Sequence, residues 1–554
     1  MLSVRLFRTT LLASTLALLA GAASAQVEVD ESFTLQLEEV PRQNIRLSLE
    51  HAVAVGVEHN LQVEVERYSP LIAQENVDVA WGPYDPVLSG EYVYDGRDNP
   101  TSSVLAGGGA ARFRNYASGG GGGLQALVPY LNATLGLQFD ATRTTTDLSF
   151  ESLSPRYDSG FTIAGSIPLL KNLIWNESWT QIKISGTLLD AEYEAFRGTL
   201  MDTVRDIETG YWNVIAQAEQ LRVTKKSLQT SLALLDQTQT QYEVGVVSKV
   251  DVIEADAGVA QRQLDVIRAD ARYRTAQDVM LDLVYGTLLE ADSRFNIVTT
   301  VDPQEYEKIE PDREESVELA FANRPEVARL LADIERGEIQ LKFAKNQRLP
   351  QLDLSASYGT NGLSGRCIAN DGSAACNGSF SDSASDWYSS PGGTEVTAGA
   401  RFSIPIGNYG ARHAVSRSKL ELRRSETQIL QLRQRIINEV RDDIRLLTSA
   451  YQGIHAAERQ VAAAAEQLRA ERIRMEHGES TPFDVLQREE RLVLAEFEKI
   501  NALQVYRTAT SDLDRSTGIS LQSHKIEIDA SRELRMAIDR PKRSLWDSLS
   551  DPAP

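Results

Sequence analysis

Two short stretches place a carboxylate three residues after a hydroxyl: Ser248-Lys249-Val250-Asp251 and Thr481-Pro482-Phe483-Asp484. At a helix start this spacing is a capping box, in which the hydroxyl accepts from the third helical N–H and the acid reaches back to the cap N–H. Pro482 falls at the first helical position, where its missing N–H costs nothing. Each box follows a glycine, Gly245 or Gly478, able to end a preceding helix at positive φ. YEVGVVSKVDVIEA (Tyr242–Ala255) and MEHGESTPFDVLQR (Met475–Arg488) align without a gap at an offset of 475 − 242 = 233. Asp251 and Asp484 have two open roles: capping alone, or capping while also lining a surface or aperture at a hairpin tip. Other chemistry finds no support. The six histidines lack metal-ligand spacing, and His51 and His59 read as solvated or packing residues. The glycine run 119–123 lacks the Lys-Ser/Thr and helix of a phosphate loop. No nucleophile–base signature is visible, so neither enzyme, cofactor nor metal is expected.

The turns are flanked by very long helical runs. No proline lies between Pro168 and Pro303, or between Pro405 and Pro482. About Ser178 to Val244 is roughly 65 residues, about 100 Å as α-helix, and Ala411 to His477 is similar. Gly186, Gly198 and Gly210 each cost the first run about 1 kcal/mol. Val214, Leu221, Leu228, Leu235 and Tyr242 recur every seven residues, as do Leu447, Ile454, Val461, Leu468 and Met475. Past the first turn, Ile253, Ala260, Ile267 and Leu281 continue the spacing, with Arg274 interrupting. Such seams predict coiled-coil packing.

Around each hairpin the same order recurs. A helical segment opens each half (LSLEHAVAVGVEHNLQVEVE and SVELAFANRPEVARLLADIE), and proline-led alternating stretches follow (DPVLSGEYVY and LPQLDLSASYG). A second alternating stretch closes each (GFTIAGSIPLL and TAGARFSIPI), with Ser-Ile-Pro at 166–168 and 403–405. The expected organisation is a signal peptide at 1–25, an N-terminal segment at 26–45, repeat 1 at 46–290, a connector at 291–312, repeat 2 at 313–520 and a tail at 521–554. Leu352, Leu354, Ala356 and Tyr358 share one strand face, as do Val396, Ala398, Ala400, Phe402 and Ile404, and Leu131, Ala133, Leu135, Leu137 and Phe139. One apolar and one polar face fits a half-buried strand or a membrane barrel. Trp175 and Trp179 serve either as interfacial anchors or as packing residues.

Arg5 and Arg8, the apolar run from Leu11 to Ala20, and Ala23-Ser24-Ala25 make a secretory signal. Without these two arginines the charge is 55 − 78 = −23, which disfavours a nucleic-acid partner. No later run of about 18 apolar residues suggests a membrane-spanning helix. Cys367 and Cys376 share a polar segment of an exported chain, so a disulfide between them is expected, with two free thiols as the alternative.

Taken jointly, the signal peptide, tandem halves, strand–long helix–turn–helix order and Gly-x-x-Ser/Thr-x-x-Asp-Val turns resemble the TolC-like outer-membrane efflux proteins. The resemblance implies an α+β membrane protein. In it a trimeric outer-membrane β-barrel continues into a long periplasmic α-helical coiled-coil barrel, built from two tandem structural repeats. It further implies twelve strands, two per half of each protomer, and no catalysis. The partners implied are other copies of the chain (a homotrimer), outer-membrane lipid, a periplasmic adaptor and, through it, an inner-membrane pump of RND, ABC or MFS type. The role implied is a passive duct for tripartite efflux or type I secretion. Val244, Gly245, Val246 and Ser248 match the family's adaptor-contact turn. The second turn matches through Gly478 and Thr481, while His477 and Glu479 depart. Asp484 matches the acidic ring of the periplasmic aperture, with Asp251 its counterpart in the first turn, and Gln487 stands where some members carry a second acid. The segment 107–123 and the run 131–139 are extra, and read as an external loop, an extra barrel hairpin or a flap in the lumen. A secreted coiled-coil structural or adhesive protein is the competing reading.

Overall fold

The computed structural model describes residues 43–100, 112–148, 151–286, 295–301, 306–367, 378–387 and 393–526. The signal peptide, Cys376 and most of the C-terminal tail lie outside the described residues.

The chain begins with β1 (Gln43–Leu47), α1 (Leu49–His59) and α2 (Leu61–Ala80). Ser48 caps α1, and the Asn60 side chain accepts from Gln62 and Val63 to cap α2. Four strands follow: β2 (Val87–Pro100), β3 (Arg112–Val128), β4 (Ala133–Thr146) and β5 (Leu153–Pro168). The long helices α3 (Glu177–Glu243, 67 residues) and α4 (Lys249–Tyr285) complete this half. After β6 (Phe295–Thr299), the second half runs α5 (Arg313–Asn323), α6 (Pro325–Gln347), β7 (Gln351–Cys367), the short α7 (Phe380–Ser385) and β8 (Gly393–Ser403). It ends in α8 (Tyr409–Glu476, 68 residues), α9 (Pro482–Thr517) and α10 (Ser520–Ser523). α3 runs unbroken through Gly186, Gly198 and Gly210, so long-range packing outweighs their local cost.

β2-β3-β4-β5-β7-β8 form one antiparallel sheet, while β1 pairs with β6 in parallel. The first half therefore supplies four strands to this sheet, not the two that the family resemblance implies. The glycine-rich segment and the run at Ala133–Phe139 are a strand hairpin, β3–β4. Leu131 lies in its turn, between Tyr130 and Asn132 at positive φ. The apolar face is exposed: Leu88 82%, Val396 74% and Leu135 54%.

The helices pack in two main cores. Leu47, Val53, Ile207, Met280 and Ile297 join β1, α1, α3, α4 and β6. Ile436, Val440, Leu447, Ile454, Leu503 and Tyr506 join α8 and α9. Arg515 of α9 donates to Asp202 of α3 at 2.5 Å and to Glu326 of α6 at 2.8 Å. Arg324 donates to Glu439 of α8 at 2.8 Å. This network ties four helices around two buried guanidinium groups, each paired with two carboxylates. Trp179 is a packing residue, stacked among Trp81 and Tyr130 where helices meet sheet.

The heptad expectation holds for α8, where Leu447, Ile454, Leu468 and Met475 are buried and Val461 is partly so. It fails in phase for the lower part of α3 and for α4 as far as Ile267, while Leu281 near the end of α4 is buried as expected. The buried line of α3 is Thr224, Ser227, Ser231, Leu234 and Thr238, while Leu228 and Leu235 sit half-buried and Tyr242 is exposed. In α4 the buried line is Ala255, Val259, Val266, Ala269 and Ala276, and Ile253, Ala260 and Ile267 are exposed. Small residues let the helices of one chain approach closely, and Thr224 and Thr238 satisfy their hydroxyls on the carbonyls of Gln220 and Leu234.

Candidate functional site: the two hairpin tips

Both tips end their first helix in the same hydrogen-bonded loop. Gly245 has φ +79° and Gly478 φ +74°. In the first tip, Val246 N–H donates to Gln241 O at 2.8 Å and Gly245 N–H to Tyr242 O at 2.9 Å. In the second, Glu479 N–H donates to Arg474 O at 2.9 Å and Gly478 N–H to Met475 O at 3.0 Å. This is a Schellman closure in which glycine alone takes the left-handed position without strain. A Cβ at either glycine would meet nothing within 4 Å, so backbone conformation rather than space requires glycine.

Both helices then restart through complete capping boxes. Ser248 Oγ accepts from Asp251 N–H at 3.4 Å, and Asp251 Oδ2 accepts from Ser248 N–H at 2.7 Å. Thr481 Oγ1 accepts from Asp484 N–H at 3.3 Å, and Asp484 Oδ2 accepts from Thr481 Oγ1 at 2.7 Å. The Thr481 hydroxyl and backbone N–H hold the Asp484 carboxyl below the usual range, so it carries a full negative charge at neutral pH.

The tips differ in what they present. Val244 is 71% exposed and Val246 70%, with Val250 and Ile253 also open. The first tip is thus an apolar knob with no cover in this chain. The second is polar and braced from within. Buried Glu471 accepts from Ser480 Oγ at 2.7 Å and Arg474 Nη1 at 3.2 Å, and pairs with Arg488 Nε at 3.5 Å. The Ser480 bond and the two guanidinium groups lower its pKa. Phe483 is the one large apolar side chain this tip exposes among its described residues. Sequence reading missed both Glu471 and Phe483. Glu471 reaches partners nine and seventeen residues away, a spacing outside any helix-neighbour rule. Leu234, Leu468, Met475 and Val485 pack the two hairpins against each other.

Among the described residues, no cluster of His, Cys, Asp or Glu has metal-site geometry, and no helix is long and apolar enough to cross a membrane. Cys367 ends β7 and is disulfide-bonded; its expected partner Cys376 lies outside the described residues.

Long helical hairpins with paired tips, carried beneath an antiparallel sheet whose apolar face is exposed, define a class of outer-membrane channel proteins. The chain belongs to the outer membrane efflux protein family, whose model matches residues 124–283 and 317–519, more than half of its length. It is an outer-membrane protein with its helical part in the periplasm. The outer membrane protein TolC of Escherichia coli (strain K12) is 26% identical over 339 residues, 60% of this chain and 64% of that relative. The match thus spans somewhat under two thirds of the relative's length. Among solved structures, CusC has a TM-score of 0.62 at 14% identity, covering 85% of this chain and 92% of its own. The Campylobacter jejuni CmeC outer membrane channel has a TM-score of 0.59 at 13% identity, covering 88% of each. At these identities the two structures share the fold.

Proposed function

We propose that three copies of this chain form a duct through which substrates delivered by an inner-membrane pump leave across periplasm and outer membrane, with no catalysis of its own. The observation that carries this reading is apolar surface left uncovered on two different elements. The sheet exposes most of its apolar face, with α7 and Trp387 packed only over the part around Phe139, Phe161 and Tyr157, and a membrane protein covers such a face with lipid. α4 exposes Ile253, Leu264 and Ile267, and α2 exposes Val65, Tyr68, Ile72 and Val79, each at helical spacing. A second copy of the same helical wall covers such stripes by coiled-coil packing.

The tips divide the work. Val244 to Ser248 docks a periplasmic adaptor, since an exposed apolar knob on a fixed Schellman loop gains most from burial. Gly478 and Thr481 shape the second contact. Asp484, and secondarily Asp251, line the periplasmic aperture, where three copies of each carboxylate draw cations and repel one another. The Cys367–Cys376 disulfide closes the outer end of β7. Tripartite efflux and type I secretion both employ this arrangement, and the pump selects the cargo.

Fractionation of the full-length protein tests the reading. The expected result is recovery with the outer membrane as a trimer that dissociates only on heating in detergent. A freely soluble monomer would overturn it.

A further inference from the structure

We infer that the wall of the duct in the outer membrane has 18 strands, six from each copy; this rests on the trimeric duct reading above. The sheet is continuous across all six strands. β2 pairs with β3 from Val87↔Gln125 to Pro100↔Arg112, and β3 with β4 from Val128↔Ala133 to Asn115↔Thr146. β4 pairs with β5 from Thr134↔Ser166 to Thr144↔Arg156. The β3–β4 hairpin is therefore neither a loop above the sheet nor a flap across it.

Facing confirms its place in the wall. One register row takes an apolar residue from every strand: Leu88, Leu124, Leu137, Ile163, Tyr358 and Val396. The adjacent row on the other face reads Ser89, Gly123, Gln138, Thr162, Gly359 and Glu395. Lipid outside and water inside demand this alternation of every wall strand, including the two extra ones. A flap inside the lumen would carry no apolar residue in that row.

The glycines of β3 serve the same end. A Cβ on Gly119 would stand 2.5 Å from Ala141 O, and one on Gly121 3.0 Å from Phe139 O. Glycine permits this close approach of β3 to β4, as in strongly bent strands of closed sheets.

The two outer strands, β2 and β8, pair on one side only. Lipid leaves no open edge unpaired, so β8 of one copy joins β2 of the next. They run in opposite directions, since each of the five successive pairings is antiparallel. Three copies thus close an all-antiparallel ring.

Eighteen strands about 4.8 Å apart and tilted about 40° give a circumference of roughly 110 Å and a diameter near 36 Å; twelve give about 24 Å. Twelve helices spaced about 9 Å have a circumference of roughly 110 Å. The wider wall therefore continues the bore of the helical tunnel without narrowing it, and its cross-section is about twice that of a twelve-stranded wall.

Electron cryomicroscopy of the purified trimer in lipid counts the strands directly. Eighteen is the expected number. Twelve strands in an intact trimeric channel would overturn the inference and leave the duct reading standing, whereas absence of a trimeric channel would overturn both. Deleting residues 112–146 removes β3 and β4 and brings β2 beside β5. That variant is expected to exclude polyethylene glycols that the wild-type channel admits, and an unchanged size cut-off would count against the inference. Should the deletion fail to fold, Gln138→Cys with Thr162→Cys places thiols on directly opposed wall positions. Efficient cross-linking of that pair in outer-membrane trimers supports the inference, and no cross-link under oxidant refutes it.

Discussion

Replacing Val244 and Val246 together by serine removes the apolar knob of the first tip without touching the backbone that holds it. The Schellman loop is made by main-chain groups and Gly245, so the turn persists. The two side chains are 71% and 70% exposed in the free chain. Burial of a whole valine side chain contributes about 1.5 to 2 kcal/mol, so covering seven tenths of two contributes about 2 to 3 kcal/mol. At 1.4 kcal/mol per tenfold change, the double variant binds adaptor about 30- to 100-fold more weakly at each docked tip. The assay uses the adaptor that co-purifies with the wild-type protein, titrated against immobilised wild-type and variant trimers. Thermal stability should be unchanged, because neither valine belongs to a core. Binding within twofold of wild type, with the fold intact, would refute adaptor docking at Val244 to Ser248. Phe483→Ser, which strips the single large apolar group from the second tip, measures how much the other turn adds.

Three further outcomes follow from the geometry. Asp484 is the third-position partner that closes the α9 capping box on Thr481, a contact Asp484→Asn largely keeps and Asp484→Ala loses; on the aperture role proposed above, cation block is expected to fall equally in both variants, and unchanged single-channel currents in both would refute that role. Burial and neighbouring Glu208 push the Asp514 carboxyl up to about 6, against protonated His524 and the Ser523 hydroxyl. The folded chain then holds a proton that the unfolded chain has lost, so stability falls as pH rises from about 4 to about 6 and stays lower above; that gap of about 2 pH units is worth at most about 3 kcal/mol. Asp514→Asn should raise the melting temperature at pH 7.5 and leave it unchanged at pH 4, and an equal shift at both would refute the assignment. Cys367→Ser should abolish the mobility difference between reduced and unreduced full-length protein, and a difference that persists would exclude the Cys367–Cys376 pair.

The long helices and capped turns were legible because their signals are local. Absence of proline permits the run, Gly245 and Gly478 stop it, and Ser248 and Thr481 restart it through contacts three residues long. Of the extra hairpin, β4 was legible as the alternating face of Ala133, Leu135, Leu137 and Phe139, with a barrel hairpin among the three open readings, whereas β3 was not legible as a strand. Glycine ranks low in strands, so a run of five leaves loop, hairpin and flap equally open, and only pairing with Ala133–Thr146 reveals a strand. That pairing depends on Gly119 and Gly121 approaching the carbonyls of Ala141 and Phe139, a relation across the sheet that propensity does not carry.

The misplaced seam on α3 and α4 has a different cause, and it bears on assembly. Hydrophobic periodicity reports which side of a helix is to be buried, not by which partner. Within this chain the close contacts use Thr224, Ser227, Ser231, Ala255 and Ala269, whose small size escapes a search for leucine and isoleucine. Ile253, Ala260 and Ile267 keep a true seven-residue spacing and are exposed in the single chain. The same holds for Val65, Ile72 and Val79 of α2, spaced seven apart, and for the apolar row of the sheet. A monomer would gain nothing from two such aligned stripes and would risk aggregation. Their regular spacing suits packing against a neighbouring copy, so the phase in which the sequence disagrees with the single chain is the phase that the proposed trimer would use.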